Sequence, residues 1–252
     1  MDHEAITNII TRNRTIPYGV GITPNPFVSQ QKEWQRRHAM AAVRKLLTDK
    51  IESLFEPRFI TPPETSECIE AIITMTDSRK VLELGTCTGF GTMHMARALC
   101  GKEGASLVTV DARPAHDPVF FAREEFKGWL QFVEGWTPAV LSHPKVTRTI
   151  PYDLVFVDSD HTVDHCEKEL NGLWNITQKR SLILFHDCPE RQTPQHNADS
   201  KGVIWSWLHQ KVHEGKLRGT CLPTCEQMDC LDAWGKGYPK ECNPHLGVFI
   251  RT

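Results

Sequence analysis

Long apolar runs are missing from this chain. No stretch approaches the roughly 20 residues that a membrane-spanning helix requires, and Met1-Asp-His-Glu4 has no basic segment leading into an apolar core. An export signal and a membrane partner are therefore not expected. Positive charge is not in excess: 29 Lys and Arg face 31 Asp and Glu, for a net charge of -2. That balance gives no broad basic field and argues against nucleic acid as a partner, with Arg36-Arg37 only a local basic pair. Paired C-x-x-C knuckles are absent, although there are nine cysteines. An odd count with no export signal points to the cytoplasm, a reducing compartment, with mostly free thiols. Internal repeats and low-complexity segments are also lacking. What remains is a globular composition, 40% hydrophobic and 24% charged, in 252 residues. That length suits one large domain with additions and buries most of the apolar surface.

Residues 1–30 are polar and carry Pro17, Pro24 and Pro26 without periodicity, as expected of an arm. A helix follows over Glu33–Leu54, with Met40, Val43, Leu47, Ile51 and Leu54 at helical spacing. Thr61-Pro-Pro-Glu64 has the spacing of a capping box with proline at the first helical position. It starts a second helix that ends near Thr76. From Lys80 strands and helices alternate. Strands are expected at Val81–Leu84, Leu107–Asp111, Leu130–Glu134, Asp153–Asp158 and Ser181–Phe185. Helices are expected over 93–99, from Asp117-Pro118 to Phe126, from Thr137-Pro138 to Leu141, and through Val163, Cys166, Leu170 and Leu173. A helix through Val203–Val212, a strand-poor stretch over 219–243 and a closing strand at Leu246–Ile250 complete the chain.

Five apolar strands separated by helices imply a parallel sheet covered on both faces, and right-handed crossovers make it doubly wound. The fold class is α/β, with an N-terminal arm and cap helix over residues 1–60 and a catalytic domain over 61–252. An irregular Cys-rich insertion occupies 219–243. Ligands of such sheets bind at the carboxyl ends of the strands. Those ends carry Glu83, Asp111, Glu134, Asp158 and Asp187.

The turn after the first strand reads Glu83-Leu-Gly-Thr-Cys-Thr-Gly-Phe-Gly91. Its glycines are spaced G-x-x-x-G-x-G, not as the G-x-G-x-x-G of dinucleotide-binding folds. The turn resembles motif I of the class I S-adenosylmethionine-dependent methyltransferases. The resemblance implies a mostly parallel, seven-stranded Rossmann-like sheet. It also implies that Glu83, Gly85, Thr86, Thr88 and Gly89 hold the methionine part of the cofactor. Asp111, with Ala112 beside it, ends strand two twenty residues past Gly91, where an acid can accept both ribose hydroxyls. Glu134-Gly135-Trp136 ends strand three. In the family this position lies beside the adenine, and an aromatic plane suits stacking there; a core tryptophan is the other reading of Trp136.

Asp158-Ser-Asp-His161 follows strand four and His186-Asp187 follows strand five, and neighbouring strands bring these ends together. A hydroxyl acceptor must lose its proton before it can take a methyl group. A divalent cation would lower its pKa: carboxylates suit Mg²⁺, and a histidine ligand tolerates Mn²⁺ or Fe²⁺. Asp158 and Asp187 are the candidate ligands, with His186 or Asp160 as a third. His161 is the candidate general base, because an imidazole titrates near neutrality. The alternative has His161 and Asp160 capping the next helix and Asp187 capping a turn.

Three segments over residues 64–190 carry a closer resemblance, to the catechol-type O-methyltransferases and methyltransferase family 24. They are Glu83-Leu-Gly-Thr-x-Thr-Gly89, Asp153-Leu-Val-Phe-Val-Asp-Ser-Asp-His161 and Leu182-Ile-Leu-Phe-His-Asp187. The resemblance implies a small-molecule acceptor, metal binding at Asp158 and the base at the position of His161. The chain departs from the family twice: histidine replaces the family's lysine at 161, and no Asp-Asn pair follows strand five.

Two rivals stand beside methyl transfer. One is a metal-dependent oxygenase or hydroxylase on the same fold, with His186, Asp187 and Asp158 as an iron triad. The other is a non-catalytic cofactor-binding protein. Residues 1–60 could close over the acceptor, with Tyr18, Trp34, Phe55 and Phe59 as an aromatic wall, or serve as a packing helix or as the arm of a homodimer. Cys221, Cys225, Cys230 and Cys242, with His213 and His245 nearby, match no standard zinc spacing. Free thiols are the expectation there, and a structural zinc the alternative.

Overall fold

A computed structural model describes residues 26–54, 61, 63–113, 118–188, 201–223 and 245–252. Two compact units divide the chain, Met1–Ala39 and Met40–Thr252. Of the first unit, only the residues from Pro26 onward, all helical, are described. The second unit holds a seven-stranded sheet in the order β3-β2-β1-β4-β5-β7-β6. Its strands are β1 (Lys80–Leu84), β2 (Ser106–Asp111), β3 (Leu130–Glu134), β4 (Tyr152–Val157), β5 (Thr177–Phe185), β6 (Leu217–Pro223) and β7 (His245–Arg251). The first five are parallel, and β7 runs antiparallel to β5 and β6. The expected α/β, doubly wound, mostly parallel sheet is therefore present.

The strands are apolar on both sides because both faces are covered. Leu82, Leu84, Val155 and Val157 point into one core, with Cys166, Leu170, Leu173 and Leu208. That core is roofed by α6 (Val163–Leu173) and α7 (Lys201–His213). Val81, Leu154 and Phe156 point the other way, toward Val43, Leu47, Ile51, Ile69, Ile73, Met93 and Leu99. That face carries residues 40–54 of α1 (Pro26–Leu54), with α2 (Pro63–Met75) and α3 (Phe90–Leu99). The period of two along each strand thus divides the molecule into two cores. Each fully buried Leu or Ile contributes about 1.5–3 kcal/mol. Glu83 alternates with Leu82 and Leu84, which places it on the α3 face.

Several expectations are corrected. Residues 217–223 form β6, which runs into the stretch over 219–243 expected to be strand-poor. It is an edge strand in which Arg218, Gly219 and Thr220 are exposed and Leu217 is buried, so the apolar signal is weak. The helix expected over 117–126 is a single turn, α4 (Pro118–Phe121), followed by a 3₁₀ turn at Glu124–Phe126. The one expected through Leu141 is a 3₁₀ turn at Ala139–Ser142, and α5 (Pro144–Thr147) begins beyond it. Helix α1 begins at Pro26 rather than Glu33. None of the six described cysteines, Cys68, Cys87, Cys100, Cys166, Cys188 and Cys221, is in a disulfide. Among the described residues no helix is long and apolar enough to cross a membrane. Tyr18, Phe55, Phe59, the Trp34 side chain, Cys225, Cys230, Cys242 and most of the 219–243 insertion lie outside what is described.

Candidate functional site

The strand order reverses between β1 and β4, the place where an open α/β sheet leaves a crevice. Backbone hydrogen bonds continue past the strand ends there. Asp158 N–H donates to Leu84 O at 2.7 Å, Gly85 N–H to Val110 O at 2.8 Å, and His186 N–H to Val157 O at 3.0 Å. Each residue beyond a strand is thus pinned to its neighbour. Gly85 has a φ of 105°, and a Cβ on it would fall 2.1 Å from the Asp158 carbonyl oxygen. Only glycine fits that close approach, which joins the glycine turn and the β4 loop into one site.

A cavity of about 300 Å³ opens at this point. Of the cofactor residues expected from the sequence, Gly85, Asp111, Ala112, Gly135 and Trp136 line it, together with Asp158. Asp111 Oδ2 accepts from the Cys87 N–H and Oδ1 from the Arg113 N–H, each at 2.7 Å. These bonds fix the carboxylate at the rim and leave lone pairs on both oxygens. Trp136 is 63% exposed, which removes the core reading, and the Arg113 guanidinium lies 5.5 Å from its ring centre.

Glu83, Thr86, Thr88 and Gly89 lie outside the cavity lining. Glu83 is buried beneath the turn and accepts from the hydroxyls of Thr92 and, at 2.6 Å, Thr109. The Thr86 hydroxyl meets that of Thr109 at 2.5 Å. Burial pushes the Glu83 carboxyl up to about 8, the two hydroxyls opposing and the charges of Asp158 and Asp111 adding to the rise. Gly89 adopts φ 87° at the start of α3. Thr88 Oγ1 is buried without a hydrogen-bond partner among the described residues. Such an atom needs a polar group from a ligand or a water.

At the far strands, Asp158 is the hub. Its Oδ1 accepts from His186 Nδ1 at 2.8 Å, and His161 Nε2 comes to 3.3 Å of the same oxygen. Its Oδ2 accepts from the Thr61 hydroxyl at 3.1 Å. Burial would push this carboxyl up, but the two imidazoles beside it override burial and hold it at about 2. One ligand atom each from Asp158, His161 and His186 lie within 4.8 Å of one another. His161 Nε2 is buried without a hydrogen bond of good geometry among the described residues. The donor set therefore fits a divalent ion, and its two imidazoles suit Mn²⁺, Fe²⁺ or Zn²⁺ better than Mg²⁺. Asp187 stands beside this set, its oxygens 3.7 Å from His161 Nδ1 and from His186 Nδ1. Its φ of 53° is left-handed, which Asp tolerates better than most residues. Asp160 is exposed and accepts the Thr162 N–H at 2.8 Å, in the turn-capping role.

Thr61, His165 and Glu169 were not singled out from the sequence. Thr61 reads as a helix start, and its spacing carries no sign of Asp158, 97 residues away. His165 and Glu169 are four apart on α6, a spacing that places them on one face and could have flagged the pair. His165 Nε2 lies 3.0 Å from Glu169 Oε1, and the Ser159 hydroxyl donates to that oxygen at 2.6 Å.

Comparison with known proteins bears out the resemblance. A family model described as a methyltransferase domain matches residues 82–188. Catechol O-methyltransferase B of Danio rerio is 34% identical over 134 residues, 48% of this chain and 47% of its own length. The chain spans about half the length of the curated relatives it matches. Among solved structures, an O-methyltransferase from Bacillus cereus in complex with SAH superposes with a TM-score of 0.58 at 16% identity, covering 83% of this chain and 91% of that one. An O-methyltransferase assigned as such in Klebsiella pneumoniae gives 0.57 at 18% identity, covering 98% and 97%. At these identities the structural likeness shows the fold.

Proposed function

With residues 82–188 matching a methyltransferase domain, we propose that the chain moves a methyl group from S-adenosylmethionine to a hydroxyl of a small molecule. The observation that carries this reading is the contact between Gly85 and Asp158. It sets the glycine turn directly against a buried acid flanked by two imidazoles. The relatives named catechol O-methyltransferase support the hydroxyl class of acceptor.

When bound, S-adenosylmethionine supplies an electrophilic methyl carbon on a sulfonium. The chain's own residues do the rest. Asp111 accepts the ribose hydroxyls, and Trp136 lies against the adenine. Thr88 Oγ1 finds its missing partner in the polar end of the methionine. His161 takes the acceptor's proton at a ring nitrogen, and the Asp158 carboxylate stabilises the resulting imidazolium. A divalent ion on Asp158 and His186, with Asp187 or His161 completing the set, would lower the acceptor hydroxyl's pKa. If His161 serves as a ligand, the proton must leave by another route, so the two roles compete.

Transfer of a labelled methyl group to a panel of catechols and phenols tests the activity. Transfer to none of them, with cofactor bound, sinks it. Metal assistance is tested separately by chelation and elemental analysis. Full transfer by chelated, metal-free protein would end it.

A second reading is favoured by the donor set itself. One carboxylate and two imidazoles are the ligands of non-haem iron oxygenases, with His161 in the place that the sequence suggested for Asp187. Bound iron together with oxygen consumption, and no methyl transfer, would decide for it.

A further inference from the structure

The cavity has a second polar corner, away from Asp158. His165, near the start of α6, lines it beside Trp136 and Thr137. The His165 ring is anchored by one nitrogen: Nε2 lies 2.8 Å from Thr137 Oγ1 and 3.0 Å from Glu169 Oε1. Glu169 is fully buried, and it also accepts from the Ser159 hydroxyl at 2.6 Å. Its Oε2 has no hydrogen-bond partner among the described residues. Burying a carboxylate is expensive unless its contacts offset the loss of water. Here the carboxylate stands directly behind a cavity-lining imidazole.

The anchoring has a chemical consequence. A carboxylate only accepts, so the proton sits on Nε2. A neutral ring held this way has a bare lone pair on Nδ1. No hydrogen bond from the described residues reaches Nδ1, and the ring borders open cavity. An acceptor there selects for a ligand edge that carries N–H. On the cofactor reading above, the base lying against Trp136 turns its edge toward Thr137 and His165.

We propose that His165 is a specificity-determining residue for the nucleobase. Its Nδ1 accepts a hydrogen bond from the exocyclic 6-amino group of adenine, and Glu169 with Thr137 positions the ring. This rests on the cofactor reading. S-inosylhomocysteine, in which an oxygen replaces the amino group, turns an acceptor toward Nδ1 and is rejected.

The test is calorimetric titration of the full chain with S-adenosylhomocysteine and with S-inosylhomocysteine, at mildly alkaline pH. The wild type should prefer the adenosyl compound by about 10-fold or more, the scale of a polar contact left unmade. His165→Phe should reduce the preference to within about 2-fold, by weakening the adenosyl compound. His165→Asn, whose amide oxygen is an acceptor, should recover part of it and serves if the Phe variant fails to fold. Glu169→Gln should weaken the preference by loosening the ring. An equal affinity of the wild type for both compounds overturns the proposal. So does a preference that survives in His165→Phe or, where that variant does not fold, is undiminished in Glu169→Gln. A purely structural role would lower the melting temperature and leave the ratio unmoved. If the wild type binds neither compound, the cofactor reading falls and takes this inference with it.

Discussion

Glu83 is a buried carboxylate on β1 and Asp158 a largely buried one just past the neighbouring β4, and the chain holds them at opposite ends of the carboxylate range. Glu83 pairs in register with Phe156, two residues before Asp158. Burial pushes Glu83 up to about 8 because its near partners are two hydroxyls and no cation. Burial acts on Asp158 too, but His186 and His161 outweigh it and hold the group at about 2. The difference lies in the partners and not in the depth. Around neutral pH Glu83 is largely protonated and braces the turn against Thr92 and Thr109. Asp158 carries a full negative charge at the mouth of the cavity. On the function proposed above, one acid belongs to the scaffold and the other to the chemistry.

Three substitutions would break or sharpen that contrast. The largest effect is expected for Asp158→Ala, which should lower labelled methyl transfer by about 1,000-fold while S-adenosylhomocysteine still binds. Glu83→Gln, measured in the same assay, should stay within about 10-fold of wild type. Equal damage from both would erase the division of roles.

Next is the pH dependence of stability. A glutamate in the unfolded chain titrates near about 4.3, below the value of about 8 in the fold. Between these limits the folded chain keeps a proton that the unfolded chain has lost. Stability from this group is therefore fully present below the unfolded value and is lost as pH rises through the folded one. Glu83→Gln should remove that component. The wild-type melting temperature should thus fall relative to the variant's across this window. A difference that stays constant over the window would show that Glu83 is ionised in the fold.

The smallest effect is expected for Thr61→Val, which removes the hydroxyl on Asp158 Oδ2. A single such bond contributes about 1 kcal/mol, so methyl transfer should drop a few-fold with little change in melting temperature. A loss as large as that of Asp158→Ala would promote Thr61 from support to a central part.

How far the molecule was legible differs between the same two regions. The glycine turn is local: its glycines, the acid before them and Asp111 beyond β2 lie within one βαβ unit, and chain connectivity alone brings them together. Even so, Glu83 read as a ligand contact, whereas it lies buried beneath the turn. At the far strands the residue types were legible and their partners were not. Asp158 and His186 were recognisable as strand-end residues, and the structure groups His161 with them, one ligand atom from each lying within 4.8 Å of the others. The turn after β5 gives Asp187 a left-handed backbone, and its carboxylate stands to one side. Strand β6 was hidden because an edge strand with one buried residue leaves little apolar pattern to detect.

By itself, the sequence determined the order of the strands β1 to β5, the doubly wound parallel core they form and the glycine spacing at β1. These depend on periodicity and on backbone conformations that only certain residues tolerate, both of which are local. The tertiary structure alone decided that Thr61 meets Asp158, that His161 joins His186 on one oxygen, that Glu169 stands behind His165, and that two buried acids hold their protons so differently. Those outcomes depend on which side chains converge from distant parts of the chain. At such meeting points a carboxylate's charge is set by its neighbours, and no spacing in the sequence records them.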